Sequence, residues 1–575
     1  MKSIKNYIIA VALGLTAASC SSFLEDQVPQ GQLFDEQVEV QKYAEEQIIS
    51  AYAVFATGED INSSFSLWNF DVRSDDAYKG GSGPADGDVF HNLEVCQGIL
   101  TTAWNLDDIW TRFYNSISRV NKAIKIVNGC DEKFTQKEQR LAELYFLRGY
   151  AHFQLKRLFK HIPFITDPDL SYNDYAGISN MEYSNDEGWG EIIKDLTNAV
   201  NVLPETQKEK GRPTKAAAAA LLAKVYLYKA YHQDREESNE VTSINESDLQ
   251  MVLKFTKDSL YTNHHLEADI HNNFRPEVEF ENGQESIWAI QYSINDGTKY
   301  GTLNWGYALT VAYAPGIEGQ DFYKPTQNLV NAFKTNKDGL PVGKDFNEKN
   351  YDKDTDNADP RLFLTVGMPG FPYMFNPEYI INESWSRSGG KYGTYVSVKH
   401  NVDPSKIEAY GAKNGPFWGN SMNRIVLRYA DVMLMRAEAC AQLNRPAEAL
   451  KLINDIRERA AASTQMIASY PALYGVKFAC KPYPTDGNYT KEELMQMVKT
   501  ERRLELAMEA ERFFDLVRWG DAKEVLDNYY AKEKERCVVY PKDVTFNKNK
   551  NEYLPIPHKQ MSSSNGSYKQ NCGGW

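Results

Sequence analysis

The chain has little of what several function classes require. After the first twenty residues no run approaches the ~20 consecutive apolar residues of a membrane-spanning helix. Cations are in deficit: 64 Lys and Arg face 78 Asp and Glu, a net charge of −14. Neutralising nucleic-acid phosphates needs the opposite balance, so nucleic acid is not expected as a partner. Cysteine is sparse, seven in 575 residues, too few and too scattered for a disulfide framework. No CxxC occurs, which argues against zinc-ribbon or thioredoxin-like chemistry. HExxH, GxSxG and GxxxxGK[ST] are all missing, so three common routes to hydrolysis and phosphate chemistry have no signature here.

Aromatic residues, by contrast, are abundant: 35 Tyr, 26 Phe and 10 Trp. Many must be core, but a surplus can also form stacking surfaces for sugar rings. The N-terminus carries an export pattern. Lys2 and Lys5 precede an apolar run, Ile8 to Ala18, that is too short to span a bilayer. Ala17, Ala18 and Ser19 then lead to Cys20. Cys20 is either a thiol just past an ordinary cleavage site or the acylated first residue of a lipoprotein. The lipobox is loose, with Ala17 where Leu is usual and Leu15 two residues earlier. The expected organisation is a signal peptide over 1–19 and one mature unit over 20–575. Of the other six cysteines, most are expected to be free or buried.

Helical periodicity dominates the rest. Apolar residues recur at three- and four-residue spacing over Glu36 to Phe55, Ile109 to Val127, Lys137 to Leu158 and Lys215 to Tyr231. Tyr429 to Leu443 and Ala447 to Ala460 form a pair joined by Asn444-Arg445-Pro446, and Pro446 suits a first helical turn. Glu492 to Trp519 reads as a last long helical stretch. These pairs resemble tetratricopeptide hairpins, although no strict 34-residue period survives. The predicted fold is mostly α: a tetratricopeptide-like helical-pair scaffold displaying large irregular loops near 56–108, 265–325 and 365–425. Short strands are expected near 286–293 and 392–399. Loops of this length inside a globular chain usually carry function.

Catalytic and metal readings are weak. Asp352 to Asp356 has the DxDxD spacing of a calcium loop, but Asn357 replaces the turn glycine and Phe363 the bidentate Glu, so it reads as a solvated acidic loop. Glu501, Glu505 and Glu509 share one helix face and interleave with Arg502, Arg503 and Arg512, which reads as a salt-bridge ladder. No metal and no cofactor are expected. The loops carry a different signal. Asp60 and Asn62 stand two apart, Asp86 lies in a glycine-rich tip (Gly80 to Gly87), Trp104 follows Thr101-Thr102-Ala103, and Arg387 and Tyr395 share the 383–395 segment. Sugar binding wants this mixture: an aromatic face for the ring, and Asp, Asn and Arg to bond adjacent hydroxyls.

Several motifs together carry a resemblance. They are Ser21 to Phe34 (SSFLEDQVPQGQLF), Asn69 to Tyr78 (NFDVRSDDAY), Trp110 to Asn121 (WTRFYNSISRVN) and Phe146 to Gly149 followed by Pro163. Arg428 to Ala460, Arg502 to Gly520 (RRLELAMEAERFFDLVRWG), Leu554 to Pro557 and Gln570-Asn571 complete the set, in order along nearly the whole chain. They resemble SusD-like (RagB/SusD) lipoproteins; the one departure in the tail is Cys572 where Pro is usual. The resemblance implies an α-helical scaffold with four tetratricopeptide-like pairs, anchored through lipid on Cys20 and exposed at the surface of the Gram-negative outer membrane. It further implies a non-catalytic lid over a SusC-like TonB-dependent transporter, capturing oligosaccharides or, in some members, peptides. The loop set is similar to that of levan-binding members, which would assign Asp60, Asn62, Asp86 and Arg387 to hydrogen bonding and Trp104 to stacking. The Thr302 to Gly316 stretch leaves a broader aromatic arc open. A secreted glycoside hydrolase and a peptide-binding scaffold are the competing readings.

Overall fold

The computed structural model describes residues 41–56, 68–299, 301–463 and 475–575. The signal segment, Cys20, Asp60 and Asn62 lie outside the described residues, as does the start of the helix expected from Glu36.

Nine helices in the described residues build the scaffold. They are α1 (Gln41–Ala56), α2 (Trp104–Gly129), α3 (Lys137–Phe159), α4 (Asn185–Val202), α5 (Lys215–Ala230), α6 (Glu246–Phe255), α7 (Tyr429–Gln442), α8 (Pro446–Ala462) and α9 (Lys491–Glu505). From α1 to α8 each packs on the next, and α9 closes against α7 and α8. This is the tetratricopeptide-like stacking expected from the pairs. α4 and α6 were not among the expected helices, although both are amphipathic and both start on local caps. Ser184 and Glu187 form a capping box at α4, and Asn245 accepts from the Asp248 N–H at α6. In α5 the run Ala216 to Ala220 is buried throughout, so its neighbours approach to backbone distance. α3 is the central helix, buried on nearly every face from Arg140 to Phe159. Its charges are therefore paired inward; Arg148 meets Asp195 at 2.7 Å.

Strands are short and sit among the loops. β1 (Ala77–Gly80) pairs antiparallel with β3 (Phe322–Pro325), and β2 (Ser286–Ile290) with β6 (Arg424–Arg428). Between β3 and β6, β4 (Gly411–Asn414) and β5 (Phe417–Asn420) form a hairpin. A two-residue strand at Val396–Ser397 pairs with Val366–Gly367. Both expected strand regions are thus present, shorter than predicted. The C-terminal tail caps α3. Leu554 N–H donates to the Leu158 carbonyl at 2.8 Å, and Asn571 Nδ2 donates to the carbonyls of Phe159 and Leu554 at 2.8 and 2.6 Å.

Two expectations are corrected. The stretch Glu492 to Trp519 is not one helix: α9 ends at Glu505, and α10 (Arg512–Trp519) starts after a break in which Met508 and Ala510 adopt φ of +61° and +62°. A further helix, α11 (Ala522–Arg536), follows. Nor do Glu501, Glu505 and Glu509 form a salt-bridge ladder with Arg502, Arg503 and Arg512. Glu501 and Glu505 are fully buried. Glu501 pairs with Arg361 (2.6 Å) and Arg457 (3.1 Å); Glu505 pairs with Arg361 (2.9 Å), Arg428 (2.7 Å) and Arg459. Glu509 takes Arg428 at 2.8 Å and Lys399 at 2.7 Å. The three arginines point elsewhere: Arg502 to Asp431 and Asp515, Arg503 to Asp75 and Asp76, Arg512 to Asp75. Adjacent helix positions project about 100° apart, so alternating signs serve different elements instead of one another. Buried charges at such a junction must each find a partner, and the break before α10 re-aims Glu509 and Arg512 toward theirs.

Six cysteines fall in the described residues and no two of them are joined in a disulfide; Cys572 is half-buried and the other five are buried. No helix of the described residues is long and apolar enough to cross a membrane.

Candidate functional site

Asp86 and Arg387 meet beside the β1–β3 ribbon, and Trp104 is linked to them through the rings of Phe90 and Phe322. The construction begins at Gly80 and Gly81, with φ of +81° and +67°. A Cβ on Gly80 would sit 2.3 Å from the Asp321 carbonyl, and one on Gly81 would sit 2.6 Å from the Phe322 ring. Only glycine permits both the backbone conformation and this approach. The chain then turns through 82–86. The tip is not free, as its glycine content suggested. Asp86 Oδ2 accepts from the Ser82 N–H at 2.8 Å and from Ser82 Oγ at 2.9 Å. Ser388 Oγ donates to the Gly81 carbonyl, and Lys391 Nζ to the Ser82 carbonyl at 2.8 Å.

Arg387 reaches the same carboxylate. Its Nη1 lies 3.2 Å from Asp86 Oδ2 and 2.9 Å from Gln320 Oε1. Its backbone N–H donates to Asp321 Oδ2 at 3.0 Å. Asp321 is itself buried and paired with Lys324 at 2.8 Å, so the loop holding Arg387 is pinned to the start of β3. Partial burial works to raise the Asp86 carboxyl, but the two Ser82 donors and the Arg387 guanidinium hold it below the ordinary carboxylate value.

Trp104 opens α2 and keeps 45% of its surface exposed. Its ring meets Phe90 edge-on at 6.0 Å, and Phe90 meets Phe322 at 6.4 Å. Buried Trp68 backs both phenyl rings. A Cβ on Gly87 would lie 2.9 Å from Phe90 and 3.2 Å from Phe322. Trp104 and the Asp86 loop therefore rest on one aromatic floor. Tyr395 is placed differently: its hydroxyl donates to Gln327 Oε1 at 3.0 Å, beyond the other end of β3, and none of its described contacts is with Asp86, Arg387 or Trp104. Burial raises its phenol.

Reading the sequence missed Gln320, Phe322 and Lys79, which hold the site without being sugar-type motifs. It also left Tyr313 undifferentiated within the Thr302 to Gly316 stretch. Trp305 and Tyr307 of that stretch are buried, whereas Tyr313 is 41% exposed and its N–H donates to the Trp385 carbonyl, two residues from Arg387. A broad aromatic arc is therefore not built from this stretch. Among the described residues no group of three or more His, Cys, Asp or Glu could hold a metal ion. The site offers one exposed indole and a carboxylate–guanidinium pair: a set that can stack and hydrogen-bond a polar ring.

Known proteins share this architecture. The model of the SusD family matches residues 284–575, and a second, described as "Starch-binding associating with outer membrane", matches 23–227. SusD-like protein P38 of Formosa agariphila is 25% identical over 553 residues, covering 94% of this chain and 96% of that protein. A SusD superfamily protein from Bacteroides vulgatus superimposes with a TM-score of 0.66 at 22% identity, covering 93% of this chain and 99% of that one. Surface glycan-binding protein A from Bacteroides thetaiotaomicron, solved in complex with laminarihexaose, superimposes with a TM-score of 0.62 at 18% identity, covering 92% and 99%.

Proposed function

This chain belongs to the SusD family, and on that premise we propose that it captures a glycan on the Asp86–Arg387–Trp104 surface without cleaving it. The observation that carries the reading is the exposed Trp104 face beside an ionised, positioned carboxylate–guanidinium pair. An indole face takes the C–H face of a sugar ring, and the charged pair bonds vicinal hydroxyls more strongly than neutral groups would. Asp60 and Asn62, outside the described residues, are proposed to add hydrogen bonds to the ligand. A fructan of the levan type fits one aromatic platform surrounded by hydrogen-bonding groups. Tyr395, engaged with Gln327, is assigned a supporting place.

Binding without hydrolysis is supported by family membership and by similar proteins named for glycan binding. Asp86, held below the ordinary carboxylate value, suits a hydrogen-bond acceptor better than a glycosidase acid. The mature chain is proposed to begin at acylated Cys20, to sit as one unit (20–575) on the outer-membrane surface, and to deliver its ligand to a SusC-like TonB-dependent transporter. The export pattern, the outer-membrane description of the N-terminal match and family membership support this.

Calorimetry of the chain lacking residues 1–20 against levan, inulin, laminarin, starch and peptides tests the reading. Levan binding with no released sugar is expected. Binding of laminarin alone would keep the glycan receptor and discard the fructan; binding of peptides alone would discard both. Mass spectrometry of the mature N-terminus and co-purification of a large β-barrel test the anchor and the partner.

A further inference from the structure

Lys79 is a fully buried cation to which neither the motifs nor the proposed ligand contacts give a task. It lies at the end of β1, beneath the Asp86 loop. Its ammonium donates to the Gly83 carbonyl at 2.7 Å and to the Asp86 carbonyl. It sits over the Phe322 ring at 4.9 Å from the centroid and 5.6 Å from that of Tyr392. Its own backbone N–H donates to Glu94 Oε1 at 3.1 Å. One side chain thus touches both parts of the site's floor: the loop carbonyls that aim Asp86 and the phenyl ring that supports Phe90 and Trp104.

We infer that Lys79 is a positioning residue for the glycan surface, clamping the 82–86 turn onto Phe322 so that the Asp86 carboxylate stays at Arg387. This rests on the glycan-capture reading above. The clamp is a buried charge held by carbonyl dipoles and ring faces, an arrangement that depends on the ammonium form. Burial pushes Lys79 down to about 8, against the pull of Glu94 and Asp86 and with the push of Arg387 and Lys391. Those four groups, with the Tyr392 ring, are the charged and titratable neighbours that face it. The clamp is therefore intact at neutral pH and weakens as Lys79 loses its proton.

The test measures glycan affinity and amide exchange of residues 81–87 at pH 7 and pH 9.5, in the wild type, Lys79→Met and Lys79→Arg. For the wild type, affinity is expected to fall about five- to tenfold between the two pH values while exchange in the loop rises. Lys79→Met is expected to bind about tenfold more weakly at pH 7 with no pH dependence, which separates Lys79 from Lys391. Lys79→Arg is expected to keep affinity within about threefold at both pH values. A wild-type affinity that is flat from pH 7 to 9.5 overturns the inference even if Lys79→Met does not fold. A folded Lys79→Met with unchanged affinity also overturns it and leaves glycan capture standing. A wild type that binds no glycan removes the functional reading and this inference together.

Discussion

Arg512 Nε lies 2.8 Å from Asp75 Oδ1, joining positions 437 residues apart. The same aspartate meets Arg503 at 3.0 Å, and its neighbour Asp76 meets Arg503 at 2.7 Å. The Ser-Asp-Asp segment near the N-terminus and the Arg-rich segment near the C-terminus, two separate marks of the family in the sequence, are halves of one buried ion cluster. Removing one half should be costly, because the partner is left as an uncompensated buried charge. Asp75→Ala is expected to lose about 3–5 kcal/mol of stability, read from urea unfolding midpoints; a loss below about 1 kcal/mol would contradict the pairing.

Acid should act on stability through two sets of buried groups. Burial holds His152 and His161 at about 3 and His271 and His400 at about 4, below their ordinary 6.5. A depressed folded-state value contributes stability that is fully present above 6.5 and lost as pH falls toward 3–4, since only the unfolded chain takes the proton. Asp75, held at about 2 by Arg503 and Arg512 against its burial, adds a second loss from about pH 4 downward. Asp71 and Glu281, raised by burial to about 7, and Asp76, Glu267, Asp269, Asp321 and Glu533, also raised, act in the opposite sense as pH falls toward 4. His152→Phe removes one of the histidine contributions, so its urea midpoint at pH 4, relative to its own value at pH 7, is expected to lie higher than that of the wild type.

Trp104→Ala should separate binding from folding. The indole is 45% exposed but packs edge-on against Phe90, so its loss should cost about 1–3 kcal/mol of stability and leave the fold intact. If it stacks on a sugar ring, glycan affinity should fall by about 1–3 kcal/mol, by analogy with aromatic stacking on bases. Calorimetry that finds unchanged affinity rejects the platform.

Arg387→Ala should weaken glycan binding by at least about 1.5 kcal/mol, the low end for a charge-assisted hydrogen bond. It removes a ligand partner and frees Asp86 from one restraint. Gln320 also loses its guanidinium contact. Arg387→Lys should recover only part of the affinity, because an ammonium lacks the guanidinium fork.

Gly81→Ala adds one methyl and removes no chemical group. The φ of +67° and the 2.6 Å approach to Phe322 make the added Cβ costly, by about 1–2 kcal/mol for the backbone alone. Weaker glycan binding is expected with every ligand-bonding side chain still present, showing that the turn itself aims Asp86.

Thiol labelling should be selective. Burial pushes Cys440 up to about 12 and raises Cys96, Cys480 and Cys537 as well. In the folded chain lacking Cys20, a maleimide is expected to modify Cys572 before any other cysteine, as peptide mapping would show.

Sequence periodicity revealed the scaffold helices α2, α3, α5, α7 and α8. α4 and α6 were not read from it, although each carries an apolar stripe (Trp189, Ile192, Leu196 and Ala199; Leu249, Val252 and Leu253) and a local cap. The break between Glu505 and Arg512 had no local mark. Nothing in Leu506 to Glu511 disfavours helix strongly; what ends it is the set of partners that Glu505, Glu509 and Arg512 reach on other elements. The acidic, basic and aromatic residues of the site were recognisable by type. Lys79 and Phe322 were not, since a lysine and a phenylalanine in short strands carry no signal of their own.

By itself the sequence determined the helical scaffold, the export pattern and the kinds of side chain offered to a ligand, because periodicity, hydropathy and residue chemistry are local properties. Only the tertiary structure decided that Asp86 and Arg387 share a hydrogen bond across 301 positions, that Tyr395 turns to Gln327 instead, and that the C-terminal charges face inward. Those outcomes depend on which distant groups a folded chain brings within a few ångströms, and charge pairing at that range is decided by geometry that no local stretch contains.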